Sequence, residues 1–173
     1  DAFQYLRKRL GLEEPATLRL GSPFDYHRQA KLIIPPSMPD PTDDAFVAAA
    51  ARAVEKYVLH TKGRAFVLFT SYTTLQAVYD IAGPKLTAAG ITCYRQGAEM
   101  PRSSMLARFK EGRPSCIFGT DSFWQGVDVP GDALSNVIIT RLPFPVPDRP
   151  LTAARMERIR DEGGDPFTEY SLP

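Results

Sequence analysis

Four short apolar runs constrain the fold of this chain more than any other feature of its sequence. They cover residues 66–69, 91–94, 116–118 and 137–139; helix-like segments separate the first three, and a loop leads from the third to the fourth. Short continuous apolar runs bounded by turn residues are typical of strands that are buried on both faces of a sheet. Because such strands alternate with helices here, the sequence predicts an α/β fold with a parallel sheet and right-handed crossovers.

The spacing of apolar residues predicts helices between and around these strands. In residues 42–59 the apolar side chains recur on one helical face, and Thr42, Asp43 and Asp44 can cap its start. Further helices are predicted for residues 3–12 with Gly11 as the C-cap, from about Thr74, for 102–110, and for 150–160 with Asp148 as the N-cap.

Proline and glycine residues predict breaks and connectors in the rest of the chain. Gly83-Pro84 is expected to kink or divide the helix that begins near Thr74. Residues 35–42 are rich in proline and predict a rigid connector on the surface. Two more strands are predicted before that connector, at residues 16–20 and 30–34.

Composition narrows the class of protein. The chain has 173 residues, of which 43% are hydrophobic and 24% charged, as in an ordinary globular domain with a real core. Apolar runs stay far shorter than the ~20 residues of a membrane span, so we expect no membrane association and a cytoplasmic location. The net charge of +1 means that any nucleic-acid contact must be a local patch. Cys93 and Cys116 lack metal-ligand spacing and are interpreted as core thiols.

The stretch with the most candidate site residues runs from Cys116 to Pro130, and its sequence is C-I-F-G-T-D-S-F-W-Q-G-V-D-V-P. Its apolar start predicts a strand, and Thr120, Asp121 and Ser122 follow directly. In open α/β sheets ligands bind outside the carboxyl ends of the strands, so this loop is the first candidate for a binding site.

Phosphate-binding motifs are absent from the sequence. It contains neither Gly-x-x-x-x-Gly-Lys-Ser/Thr nor Gly-x-Gly-x-x-Gly. The chain therefore has no phosphate cradle of its own, and if it handles a nucleotide it does so as the second wall of a site.

Residues 119–131, G-T-D-S-F-W-Q-G-V-D-V-P-G, resemble helicase motif V of the DinG/XPD-type DNA helicases of superfamily two. Their usual form is F-W-E-G-V-D, and Gln125 stands here where Glu is commoner. Residues 69–72 resemble motif IV, residues 20–25 the segment after the first motor domain, and residues 108–110 the approach to motif V. Residues 141–144 resemble the Leu-Pro-Phe segment of the family.

The resemblance implies that residues 1–173 are a second RecA-like motor domain, a parallel sheet flanked by helices that belongs to the P-loop NTPase type but lacks its own P-loop. Its partners would be single-stranded DNA and the first RecA-like domain of the same polypeptide. ATP and Mg²⁺ would be held mainly by that first domain, which in many relatives also carries an iron–sulfur cluster. The chain starts at Asp1 and stops before motif VI with its arginine finger, so we expect a fragment that does not hydrolyse ATP alone.

The resemblance also implies roles for individual residues. Nucleotide contacts fall on Gln125, Gly126 and Asp128, and DNA contacts on Ser71, Tyr72, Thr120, Asp121 and Ser122. Four of these residues have a structural alternative. Asp128 can cap a backbone N–H, Ser71 can be an N-cap, Tyr72 can be a core residue, and Thr120 can satisfy backbone groups at a strand end.

Three further residues, Phe123, Trp124 and Arg141, have two possible interpretations each. The pair Phe123-Trp124 either stacks on bases or anchors its loop to the core, and the anchor is the preferred reading. Arg141 either reaches a phosphate or forms a surface salt bridge.

Two other functions remain open at this point. A non-catalytic α/β module could retain the helicase fold and bind nucleic acid or a partner without being a motor. A Rossmann-like enzyme could use Asp121 or Asp128 in other chemistry, but the sequence offers no nucleophile–base pair for it.

Overall fold

A computed structural model describes residues 3–98 and 100–172 of the chain and divides it into two units, residues 1–36 and 37–173. The smaller unit contains two helices, α1 (Gln4–Leu10) and α2 (Tyr26–Gln29). Gly11 ends α1 in the left-handed conformation, with φ +66°, and its N–H donates to the carbonyl of Arg7. The predicted first helix and its glycine C-cap are therefore confirmed.

The prediction of two strands in the smaller unit is wrong. Residues 16–20 and 30–34 form no strand, and their apolar side chains are strongly exposed, with Leu18 at 77% and Leu32 at 86%. A strand needs a ladder partner for its N–H and C=O groups, and the described residues offer these two segments none. The prediction of these two strands was wrong because it rested on local composition alone.

The larger unit is built on a four-stranded parallel sheet. Its strands are β1 (Ala65–Leu68), β2 (Thr92–Arg95), β3 (Ser115–Gly119) and β4 (Asn136–Ile139), in the order β2-β3-β1-β4. All four apolar runs are thus strands, and the predicted parallel α/β sheet flanked by helices is confirmed.

The described residues of the larger unit also form the α-helices α3 (Phe46–His60), α4 (Tyr72–Ala88), α5 (Arg102–Lys110) and α6 (Pro150–Asp161), and a short π-helix at Phe167–Ser171. Side chains alternate between the faces of the sheet, as the period of a strand requires. Ala65, Val67 and Phe118 pack with α3 and α4, whereas Phe66 and Ile117 pack with α5 and with the loop after β3. The sheet is therefore covered on both faces at β1 and β3, its two central strands.

Three helix details differ from the sequence predictions. The helix α4 continues through Pro84 rather than dividing there, since Gly83 and Leu86 on either side are buried and packing keeps the backbone in place. The helix α3 begins at Phe46, after a turn in which Asp43 Oδ1 accepts from the N–H of Ala45 at 2.8 Å. Asp148 does not cap α6, which starts after Arg149.

The two cysteines lie side by side in neighbouring strands. Cys93 and Cys116 are register partners of β2 and β3, and the Sγ atom of Cys116 donates to Sγ of Cys93 at 3.5 Å. That hydrogen bond, together with burial, raises the pKa of the Cys116 thiol well above its usual value. Cys116 is a buried core thiol as predicted, and Cys93 is half-buried.

The first prediction concerns Gly119, the last residue of β3. A Cβ there would meet Cδ2 of Phe123 at 2.5 Å, so Gly119→Ala must push the Phe123 ring out of its site. Overpacking of this kind costs about 1–3 kcal/mol, and urea unfolding should show that loss. Gly21→Ala is the matched control, because its Cβ would meet nothing within 4 Å. Equal stability of the two variants would contradict the packing described.

Candidate functional site

The carboxyl edge of the sheet brings most of the predicted site residues together. Leu68 at the end of β1 is in register with Gly119 of β3 and with Ile139 of β4. The segments that begin at Thr70, at Thr120 and at Thr140 therefore leave the sheet at one edge, because parallel strands end together. Ser71 and Thr120 lie at this edge, as expected from their positions after apolar runs.

Ser71 is the N-cap of α4. Its backbone is extended, and its Oγ accepts from the N–H of Thr74 at 3.2 Å and donates to the Thr74 hydroxyl at 2.9 Å. The capping alternative for Ser71 is confirmed, although its side chain stays exposed. The core alternative for Tyr72 is wrong, because 54% of that residue is exposed.

Gln96, which follows β2, ties three of the predicted residues together. Its Oε1 accepts from the N–H of Thr120 at 2.7 Å and from the Thr120 hydroxyl at 3.1 Å. Its Nε2 donates to the Tyr72 hydroxyl at 2.7 Å and to Ser122 Oγ at 2.9 Å. Tyr72, Thr120 and Ser122 thus belong to one hydrogen-bonded cluster, and Thr120 is buried within it.

The aromatic pair after β3 anchors the loop, as the preferred interpretation held. Phe123 is only 3% exposed and packs edge-on against Phe66, with ring centroids 6.1 Å apart. The indole N–H of Trp124 donates to the carbonyl of Phe69 at 3.3 Å. A short 3₁₀ turn at Asp121–Phe123 leads from the strand into this anchor.

Arg102, the first residue of α5, holds the next part of the loop. Its Nη2 donates to the carbonyl of Gly126 at 3.3 Å and reaches that of Gln125 at 3.5 Å. Its guanidinium also lies over the Phe123 ring, 5.4 Å from the centroid. Gly126 has φ +68°, a conformation that costs a residue with a Cβ more than it costs glycine.

Two aspartates of the loop are left without internal partners. Asp121 and Asp128 are exposed, and neither carboxylate has a hydrogen bond or ion pair within the part of the chain that the structure describes. Asp128 therefore does not cap a backbone N–H there, contrary to its structural alternative. Val127 and Val129 pack toward the α5 face on either side of it and leave the carboxylate in solvent.

A cavity of about 230 Å³ opens between the ends of β1 and β4. Hydroxyl groups and one guanidinium contribute to its lining, which consists of Pro41, Phe46, Thr70, Ser71, Thr74, Thr140 and Arg141. Arg141 forms no ion pair within 4.0 Å among the described residues, so the hypothesis that it forms a surface salt bridge is wrong. It helps to lower the pKa of Asp40, though the Thr42 hydroxyl and N–H that donate to that carboxylate have the larger effect.

Sequence reasoning missed Gln96 and Arg102. The rule that singled out Ser71 and Thr120, a polar residue directly after an apolar run, applies equally to Gln96 and would have found it. Arg102 carries no comparable signal, because its contacts depend on how the loop folds back onto α5.

Residues 3–98 and 100–172 contain no group of three or more His, Cys, Asp or Glu side chains placed to hold a metal ion. They also contain no helix with the length and hydropathy needed to cross a membrane.

Comparison with known proteins adds a family match over residues 54–173, to the helicase C-terminal domain. The chain is 38% identical over 178 residues to the 3'-5' exonuclease DinG of Bacillus subtilis (strain 168), covering 99% of this chain and 19% of that protein. It is 38% identical over 173 residues to the ATP-dependent DNA helicase YoaA of Escherichia coli (strain K12), covering 100% of this chain and 27% of the relative.

A third relative is the ATP-dependent DNA helicase DinG of Photobacterium profundum. It is 37% identical over 180 residues, which cover 100% of this chain and 26% of the relative. The chain thus spans between about a fifth and a quarter of the length of these relatives.

The second prediction concerns Arg102. Arg102→Met keeps the length of the side chain but removes the hydrogen bonds to the loop carbonyls, so residues 124–129 should open more often. Hydrogen exchange of the Trp124 amide, which donates to the carbonyl of Asp121 at 3.1 Å, should become about fivefold faster, the effect of roughly 1 kcal/mol. Arg108→Met is the control, since Arg108 lies exposed on the same helix and its side chain has no described partner. Unchanged exchange in Arg102→Met would contradict the proposed hold on the loop.

Proposed function

Because the chain belongs to the helicase C-terminal domain family, we propose that it is the second RecA-like motor domain of an ATP-dependent DNA helicase of the DinG type. The family match over residues 54–173 carries this proposal. Two of the relatives are named as ATP-dependent DNA helicases, and the parallel sheet suits a RecA-like domain. The motor would work in the cytoplasm on single-stranded DNA.

The loop from Gln125 to Asp128 is proposed as one wall of the ATP cleft. Arg102 fixes the carbonyls of Gln125 and Gly126, which gives this wall a defined backbone. The Asp128 carboxylate is exposed and can accept from the vicinal hydroxyls of ribose without giving up an internal bond. Gly126 allows the turn that places it there.

The phosphate cradle and the ligands for Mg²⁺ are assigned to the first RecA-like domain of the same polypeptide. Phosphoryl transfer needs a cradle for the β- and γ-phosphates, a ligand for Mg²⁺ and a cation on the transferring group. This sequence contains no Gly-Lys-Ser/Thr loop for the first of these. The chain by itself should therefore bind part of a nucleotide at most and should not turn it over.

The carboxyl edge of the sheet is proposed as part of the DNA track. Ser71, Thr120, Ser122 and the start of the 17-residue helix α4 lie along it, and the Ser122 hydroxyl accepts from Gln96 and so keeps its own O–H for a ligand. Helix N-termini and hydroxyls are common phosphate ligands, and Arg141 supplies a cation beside them. Asp121 carries the wrong charge for a phosphate, so we assign it to base edges, where a carboxylate can accept from an amino group.

The third prediction is that this chain binds a single-stranded oligonucleotide weakly, with an affinity that falls as salt rises, because phosphate contacts release counterions. Arg141→Gln should reduce the slope of log K against log salt by about 0.7, the value for one phosphate contact on a single strand. Fluorescence anisotropy at several salt concentrations measures this slope.

Arg113→Gln is the matched control, because it removes the same charge from the segment before β3, at the opposite edge of the sheet. Binding that ignores salt, or equal losses in the two arginine variants, would contradict a DNA track at the carboxyl edge.

The fourth prediction concerns Asp128 in the longer polypeptide that contains this domain. Asp128→Ala should raise the KM for ATP by about tenfold or more, because a hydrogen bond to a charged group contributes roughly 1.5–3 kcal/mol. Steady-state ATP hydrolysis measures it. Asp132→Ala, an exposed aspartate in the next turn, is the control and should leave KM unchanged. Equal kinetics for both variants would remove Asp128 from the nucleotide site.

A further inference from the structure

We propose that Gln96 is a positioning residue, which holds the ring of Tyr72 ready to stack on a base of single-stranded DNA. This inference rests on the proposed DNA track and extends it to a residue that neither the motifs nor the family match singles out. It starts from the hydrogen bonds of one side chain, the amide at the end of β2.

The amide of Gln96 uses its full hydrogen-bonding capacity. A glutamine side chain offers two N–H donors and an oxygen with two lone pairs. Here both donors are used, on Tyr72 and Ser122, and both lone pairs face groups of Thr120. The backbone N–H of Thr120 can only donate, so the oxygen of the amide must face it and the NH₂ group must face Tyr72. The orientation of the amide is thereby fixed.

Tyr72 has the surroundings of a ring that is held but not buried. Its hydroxyl is held by Gln96 at 2.7 Å, and its ring lies close to Gly97, where an added Cβ would come within 3.5 Å of Cε1. Even so, 54% of the residue is exposed. A tyrosine that serves only as core packing would bury its ring. This one leaves about half of its surface available to a ligand.

The same amide connects the three segments that carry the proposed DNA contacts. Gln96 follows β2, Tyr72 begins α4, and Thr120 and Ser122 belong to the loop after β3. Holding the ring at a fixed place relative to those hydroxyls lowers the conformational entropy that binding would otherwise have to remove. A base stacked on Tyr72 and a phosphate beside Ser122 would then be bound together.

The test compares two oligonucleotides on the 173-residue chain: a short oligothymidylate, and an abasic strand with the same number of phosphates. Affinity for the first includes stacking, which is worth roughly fivefold or more per base, whereas affinity for the second does not. The variants are Gln96→Met, Tyr72→Leu and the double variant. Gln76→Met is the control, because its amide lies on α4 as Tyr72 does and, among residues 3–98 and 100–172, bonds only to Asp80.

We expect Gln96→Met to weaken binding of oligothymidylate by about threefold, as a partial loss of the stacking contribution. Binding of the abasic strand should fall by less, because the phosphate contacts proposed for the start of α4 and for Arg141 do not depend on Gln96. Tyr72→Leu should remove the preference for bases altogether, and the double variant should show no further change in that preference, because Gln96 acts on the bases through the ring.

Three outcomes would overturn the inference. If Gln96→Met keeps the full preference for bases, Gln96 does not position the ring, while the DNA track itself stands. If it weakens both oligonucleotides equally, its role is structural. If the unchanged chain binds neither oligonucleotide, the proposed DNA function fails, and the role of Gln96 fails with it.

Discussion

The contact between Phe123 and Gly119 is the constraint on which the candidate site depends. The ring lies so close to the last residue of β3 that a Cβ at Gly119 would collide with it at 2.5 Å. The strand can therefore turn at once into a short 3₁₀ helix, and the loop folds back over the α5 face. Trp124 and Arg102 then fasten the loop through backbone carbonyls. Without this close approach the polar residues on either side of the aromatic pair would have no fixed place.

The anchor separates two kinds of polar residue along one loop. Before it, Thr120 and Ser122 are tied into the network of Gln96 at the edge of the sheet. After it, Asp128 is left in solvent on a backbone that Arg102 steadies. In the proposed motor the first group faces the DNA and the second faces the nucleotide. Because the two groups share a single anchor, a displacement of Thr120 and Ser122 would also displace Asp128.

How far the sequence predicts the structure depends on the range of the interactions involved. The four strands and α5 could be predicted because buried runs and helical spacing are local patterns. The apolar segment at residues 30–34 has similar composition but no ladder partner among the described residues, and pairing partners cannot be seen in a local pattern. The division of α4 predicted at Pro84 does not occur, because the packing of the helix keeps its backbone continuous. At the site, the positions of Ser71 and Thr120 follow from the ends of strands, whereas the contacts of Arg102 depend on tertiary folding.

The central claim, that the carboxyl edge of this sheet receives single-stranded DNA, is tested most directly by an NMR titration of the ¹⁵N-labelled chain with an oligothymidylate. The backbone amides of Tyr72, Thr120 and Ser122 should show the largest shift changes, because they lie at that edge. The amides of Gly63 and Gly112, which precede β1 and β3 at the opposite edge, should change little. Shift changes concentrated at Gly63 and Gly112, or none at saturating oligonucleotide, would contradict the account.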